Sequence, residues 1–157
     1  MSTQGTAGVR ILAGQCLCGI MRYAVADEFP YAANCHCGSC RRATGAAFEP
    51  FAGIAREKLV ITQGEDTLMI FDDETGHDAH CGRCGSLLYS LVRDGTFVHV
   101  AMGTLIDAPC IRPSHHIFVG SKAPWFTITD DLPQYVEHAA AARSALPALF
   151  CRGACPC

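Results

Sequence analysis

Seven of the chain's eleven cysteines stand in three tight clusters: Cys16-Leu17-Cys18, Cys35-His36-Cys37-Gly38-Ser39-Cys40 and Cys81-Gly82-Arg83-Cys84. Thiolates this close in sequence share a metal readily but bridge each other only under strain. A structural zinc site closes with four thiolates in a tetrahedron, with Zn–S bonds of about 2.3 Å. Seven is one such site plus three, and three thiolates leave a fourth position open. An open position distinguishes a catalytic metal from a structural one.

Grouping the first cluster with the third puts Cys16, Cys18, Cys81 and Cys84 on one saturated site. Such a site would tie an N-terminal strand to a hairpin over 60 residues later, and its binding energy becomes folding energy. Gly82 and Gly85 suit a knuckle whose amides turn towards the sulfurs. Spacing alone does not force this grouping, because the middle cluster could give two sulfurs elsewhere. Cys35, Cys37 and Cys40 can also hold one metal from a single short loop. Three thiolates weaken a divalent ion as a Lewis acid, so activating water is not its natural task. A soft ligand such as a substrate thiol is better matched, and zinc would deprotonate it at neutral pH. His36, between two ligands, points away from them in an extended chain and reads as a packing or supporting residue. His115 and His116 precede a strand and read as exposed or hydrogen-bonded, with proton carriage as the alternative.

The elements that must position these residues are mostly strands. Gly19 to Val25, Phe48 to Ile54, Lys58 to Thr62, Thr67 to Phe71, Leu87 to Val92, Phe97 to Met102 and His116 to Val119 are the short apolar or alternating runs. Gly64-Glu65-Asp66 is turn chemistry, and Arg93-Asp94-Gly95 is a hairpin signal. Helix is expected at Gly38 to Thr44 and at Pro133 to Leu146, the latter with Pro133 early in the helix and Asp130 and Asp131 near its positive end. The tail from Cys151 to Cys157 reads as a frayed terminus, with a weaker metal-binding patch as the alternative. Cys110 stands alone and reads as a small buried hydrophobe.

With 157 residues, half of them hydrophobic and 17% charged, the chain has the composition of one folded domain. A formal net charge of −3 and the absence of a basic stripe argue against nucleic acid as a partner. No apolar run is long enough to cross a bilayer, and residues 1–10 lack the apolar segment of a secretory signal. The cytoplasm is the expected compartment, where thiols stay reduced and paired cysteines read as metal ligands.

Gly14-Gln15-Cys16-Leu17-Cys18-Gly19, Cys35 through Gly45, Cys81-Gly82-Arg83-Cys84-Gly85-Ser86, and the stretch from His116 through Ser121-Lys122-Ala123-Pro124-Trp125-Phe126 to Asp130-Asp131-Leu132-Pro133 resemble the glutathione-dependent formaldehyde-activating enzyme family. The resemblance covers about Ala13 to Tyr135. It implies a mainly β, Mss4-like fold of several small curled sheets, with a short C-terminal helix added by the helical sequence after Pro133. A 1–12 extension, a 13–135 zinc-binding domain and a 136–157 helix and Cys-rich tail follow as the expected divisions. The resemblance also implies two zinc ions: a structural one on Cys16, Cys18, Cys81 and Cys84, and a second on Cys35, Cys37 and Cys40.

The implied activity is condensation of glutathione with formaldehyde, formally a carbon–sulfur lyase run backwards. Glutathione's two carboxylates make Arg41, Arg42 and Lys122 the candidate contacts, with Trp125 as a packing wall. For the two arginines the competing reading is a solvated helix face. The implied partners are a small thiol and an aldehyde, and a homodimer is compatible with them. His80 departs from the family pattern, which often has an aromatic residue there. The shared motifs specify metal sites and fold better than substrate. A zinc-stabilised binding module without catalysis is the alternative function.

Overall fold

The computed structural model describes residues 8–72 and 77–139. Ten strands and one short helix make two sheets: β1 (Ile11–Gln15), β2 (Arg22–Ala26), β3 (Tyr31–Cys35), α1 (Gly38–Thr44), β4 (Glu49–Ala55), β5 (Leu59–Gln63), β6 (Leu68–Asp72), β7 (His77–Cys81), β8 (Leu87–Val92), β9 (Phe97–Ala101) and β10 (His116–Ile117). The smaller sheet has the order β1-β2-β5 and the larger the order β10-β3-β4-β9-β8-β7-β6. Named strands pair antiparallel except β10, which runs parallel to β3. The mainly β expectation holds.

Alternation decides what β2 and β9 bury. Val98 and Val100 of β9, and Tyr23 and Val25 of β2, send successive inward side chains to one core. There they meet Leu12, Met21, Phe29, Ile54, Leu59 and Leu88, together with Cys16 and Cys81. The other face of β3 and β4 carries a smaller cluster of Ala33, Cys35, Phe51 and Ile117. Cysteines are thus part of both cores.

Two glycines seat tyrosine rings. Gly14 lies opposite Tyr23 in the β1–β2 register, and a Cβ there would fall 2.0 Å from Tyr23 Cζ. The Tyr23 hydroxyl donates to Thr104 Oγ1 at 2.7 Å, since Thr104 gives its own proton to the Ala101 carbonyl. Gly53 faces Tyr31 in the same way. The Tyr31 hydroxyl reaches His99 Nε2 at 2.9 Å, and the His99 ring stacks on Phe51 at 4.0 Å.

The expected hairpin at Arg93-Asp94-Gly95 joins β8 to β9, with φ of 53°, 53° and 80° at its three residues. Two non-glycine residues accept left-handed backbone there, and the Arg93 guanidinium lies over the Phe97 ring at 4.6 Å. The second expected helix is not helical where it is described. From Pro133 to Glu137 the chain lies alongside β10: His116 N–H donates to Pro133 O, Tyr135 N–H to His116 O, and Phe118 N–H to Glu137 O. Those backbone groups are spent on neighbouring chain, and that pairing overrides local helix preference. Residues 140–146 of that expectation, and the tail cysteines Cys151, Cys155 and Cys157, lie outside the described residues.

Gly14→Ala should cost about 1–3 kcal/mol, the usual penalty for forcing a packed ring aside. Chemical denaturation measures it, and an unchanged midpoint would show that Tyr23 moves freely. A second expectation concerns pH. Burial pushes His99 down to about 4, with Arg93 and His138 adding to it. A free histidine protonates near 6.5, so the unfolded chain takes a proton between those values while folded His99 stays neutral. Its contribution to stability is therefore retained above pH 6.5 and lost as pH falls towards 4. The wild type should lose more stability between pH 7 and 5 than His99→Gln loses. Equal losses in paired denaturation curves would sink this assignment.

Candidate functional site

The turn from β1 into β2 carries Cys16 and Cys18, and the turn from β7 into β8 carries Cys81 and Cys84. Their four Sγ atoms lie within 4.8 Å of one another. Cys16 Sγ is 3.5 Å from Cys18 Sγ, and Cys18 Sγ is 3.8 Å from Cys81 Sγ. A disulfide needs about 2.05 Å. The edge of a tetrahedron with metal–sulfur bonds of about 2.3 Å is roughly 3.8 Å. The donor set therefore fits a zinc ion.

Backbone and side-chain donors surround these sulfurs. Met21 N–H donates to Cys16 Sγ at 3.3 Å. Gly85, with φ 76°, returns its N–H to Cys81 O at 2.8 Å and closes the knuckle. A Cβ on Gly82 would stand 2.8 Å from Thr67 O, so the chain passes too closely there for a side chain. His80, the departure from the family pattern, uses Nδ1–H to donate to Gly85 O at 3.2 Å. Ser86 joins the two turns: Leu17 N–H donates to its Oγ at 3.0 Å, and Oγ–H donates to Cys84 Sγ at 3.3 Å. The Ser86 hydroxyl and N–H bring the Cys84 thiol down to about 5.

Cys35 ends β3, Cys37 caps α1, and Cys40 sits in its first turn, so strand end and helix start bring three sulfurs within 4.8 Å. Cys37 Sγ accepts the Cys40 N–H at 3.3 Å, which is the usual service of a helix cap. The thiols of Cys35 and Cys40, aided by the Cys40 and Ser39 amides, draw Cys37 down to about 2. The same proximity pushes Cys35 and Cys40 up. Among the described residues no histidine, aspartate or glutamate joins the three, so this donor set fits a zinc ion with an open position.

His36 is fully buried and not among these donors. Its Nε2 lies 2.8 Å from His116 Nδ1, and His116 Nε2 lies 3.1 Å from both Asp130 oxygens. The carboxylate only accepts, so a neutral His116 carries its proton on Nε2. His116 Nδ1 then accepts from His36 Nε2–H, which leaves His36 Nδ1 as a bare acceptor. That Nδ1 is buried without a partner. His115 instead meets Ser114 Oγ at 2.9 Å and the edge of Tyr135.

The expected substrate contacts fall in several places. Arg41 and Arg42 lie in the last turn of α1. Arg41 Nε is buried and unpartnered, while the Arg42 guanidinium lies back against Gly38. Lys122 Nζ donates to the carbonyls of Ala123 and Phe126. Trp125 is 72% exposed. Cys110 is half-buried, apart from both sulfur groups.

Two residues near the sulfurs escaped sequence reasoning. Ser86 had a signal, a hydroxyl directly after Cys-x-x-Cys-Gly. Glu49 had none, because one carboxylate opening an apolar strand looks like a strand end. It is 3% exposed, with Oε1 unpartnered, and burial pushes its carboxyl up to about 7.

The model of the glutathione-dependent formaldehyde-activating enzyme family matches residues 11–121. A Halomonas elongata protein named "Putative glutathione-dependent formaldehyde-activating enzyme" is 27% identical over 128 residues, 75% of this chain and 81% of that protein. A crystal structure of a Rhodobacter sphaeroides protein superposes with TM-score 0.52 at 24% identity, covering 62% of this chain and 90% of that one. The last is a likeness of fold.

The Asp130–His116–His36 chain makes a direct prediction. At pH 7, long-range proton–nitrogen NMR spectra should find the His36 proton on Nε2, and Asp130→Asn should disturb that signal. A proton on Nδ1 in the wild type would contradict the chain as drawn.

Proposed function

Because the chain belongs to the glutathione-dependent formaldehyde-activating enzyme family, we propose that it is a zinc-dependent carbon–sulfur lyase run in the synthetic direction, joining glutathione to formaldehyde as S-(hydroxymethyl)glutathione. In that reaction a sulfur–carbon bond forms, the carbonyl π bond breaks, and the thiol proton ends on the new hydroxyl. The observation that carries the reading is the division of seven sulfurs into a group of four and a group of three. A family likeness alone specifies the metal ligands better than the substrate.

Cys16, Cys18, Cys81 and Cys84 are the proposed structural zinc ligands, and Cys35, Cys37 and Cys40 the proposed catalytic ones. A zinc ion on the latter three would supply an open position that takes a substrate thiol and keeps it as thiolate. The chain's own residues do the rest. The Cys40 amide, on Cys37 Sγ, holds the loop in ligating shape. His36, tied through His116 to Asp130, fixes the backbone between Cys35 and Cys37 and packs against Phe48 and Phe126.

Arg41 and Arg42 are the proposed partners for glutathione carboxylates, with the buried Arg41 Nε the better placed to gain by it. Lys122 would have to exchange two carbonyls for a carboxylate. Trp125 remains the proposed packing wall. Small thiols and aldehydes, rather than nucleic acid, are the proposed partners, and the cytoplasm the proposed compartment. Among the described residues no helix is long and apolar enough to cross a membrane.

The test combines metal analysis with carbon-13 NMR of labelled formaldehyde and glutathione. The wild type should carry two zinc ions and raise the rate of thioadduct formation above that of the protein-free mixture. Cys37→Ser should lose one zinc and the rate gain while keeping its fold, whereas Cys81→Ser should lose the fold. Two zinc ions with no rate gain would overturn the activity, and an unfolded Cys37→Ser would overturn the division of roles.

A further inference from the structure

Glu49 opens β4 directly across from Cys35 in the β3–β4 register, with the Cys40 thiol beside its carboxyl. Only 3% of it is exposed, and its Oε1 has no hydrogen-bond partner. Buried carboxylates ordinarily sit on a cation or on several N–H groups. A strand end could have held any small apolar residue at no such cost.

Glu49 also stands in the wall of a cleft of ≈ 380 Å³ that runs between the end of α1 and the Cys84–Leu87 turn, with Thr44, Phe48, Ser86, Gly103 and Thr104 among its lining. That volume falls within the range of small-molecule sites, about 300–1,000 Å³. The cleft borders both sulfur groups, through Cys84 on one side and through Glu49 and its neighbour Cys40 on the other. It also meets α1 at its C-terminal end, where a helix presents its partial negative charge. The Arg42 guanidinium lies at the opposite end, against Gly38. Carboxyl and helix terminus together make the cleft a seat for a cation carried on an otherwise small polar body.

We propose that this cleft holds the body of the thiol substrate and that Glu49 Oε1 accepts a hydrogen bond from that substrate's primary ammonium group. The assignment rests on the thiol-adduct reading above and extends it: the sulfur goes to the group of three cysteines, the amine to Glu49. It predicts selection for an aminated thiol, because a buried acceptor left empty penalises an analogue without the amine.

Titration calorimetry on the zinc-loaded protein, with glutathione and with its analogue lacking the γ-glutamyl amine, tests this. The wild type should bind glutathione at least about tenfold more tightly than the desamino analogue, the scale of one charge-assisted hydrogen bond. Glu49→Gln, matched in shape, should bind both at the analogue's level with zinc content unchanged. Glu49→Leu, without ligand, should melt no lower than the wild type, because it removes an unsatisfied buried group.

Equal wild-type affinity for the two thiols, or full discrimination surviving in Glu49→Gln, would overturn the proposal. So would a lower melting point for ligand-free Glu49→Leu, which would assign the carboxyl to the fold. Discrimination without any acceleration of thioadduct formation would support the Glu49 anchor and overturn the reaction proposed above.

Discussion

Four sulfur atoms from two turns, 63 residues apart at their nearest chain separation, meet within 4.8 Å of one another, and the two sheets must face each other so that they can. Cys16 and Cys81 bring that requirement into the main core, where they are 1% and 0% exposed. The two turns belong to different sheets, so the sulfurs determine how those sheets face each other. The Leu17–Ser86–Cys84 contacts do the same in miniature. Four thiols this close repel as soon as more than one ionises, and a divalent cation is the natural remedy. The core between the sheets can then be built from ordinary aliphatic side chains.

The group of three obeys a different logic. Its sulfurs come from one continuous loop, so they need no distant partner to meet. What comes from far away is the support: β10 places His116 on His36, and Asp130 holds His116 in turn. One sulfur group is assembled from remote turns, and the other is braced by remote neighbours.

Much of this was readable from residue types. The cysteine clusters mark the seven sulfurs, the family resemblance implies the four-and-three grouping that spacing leaves open, alternation places β8 and β9, and Asp-Gly turn chemistry places the hairpin at Arg93 to Gly95. The strands that deliver the cysteines were less legible. β1 is Ile-Leu-Ala-Gly-Gln, β7 is His-Asp-Ala-His-Cys, and β3 is buried along most of its length. None of the three alternates apolar and polar residue types, although β1 itself buries every second residue. The segment after Pro133 erred the other way: its composition favours helix, yet β10 offered it a backbone partner. Glu49 was invisible because nothing local distinguishes a buried carboxylate from an exposed one.

The bracing of His36 by His116, 80 residues later in the chain, has a consequence for biosynthesis. A ribosome adds about 5–20 residues per second. Cys35, Cys37 and Cys40 therefore leave the tunnel several seconds before the segment that covers them, on the order of 4–16 s. Throughout that window the nascent loop is a bare trio of thiols, competent to capture whatever soft metal or oxidant it meets. The order of synthesis thus makes the cell's metal supply and redox state during translation part of how this centre acquires its occupant.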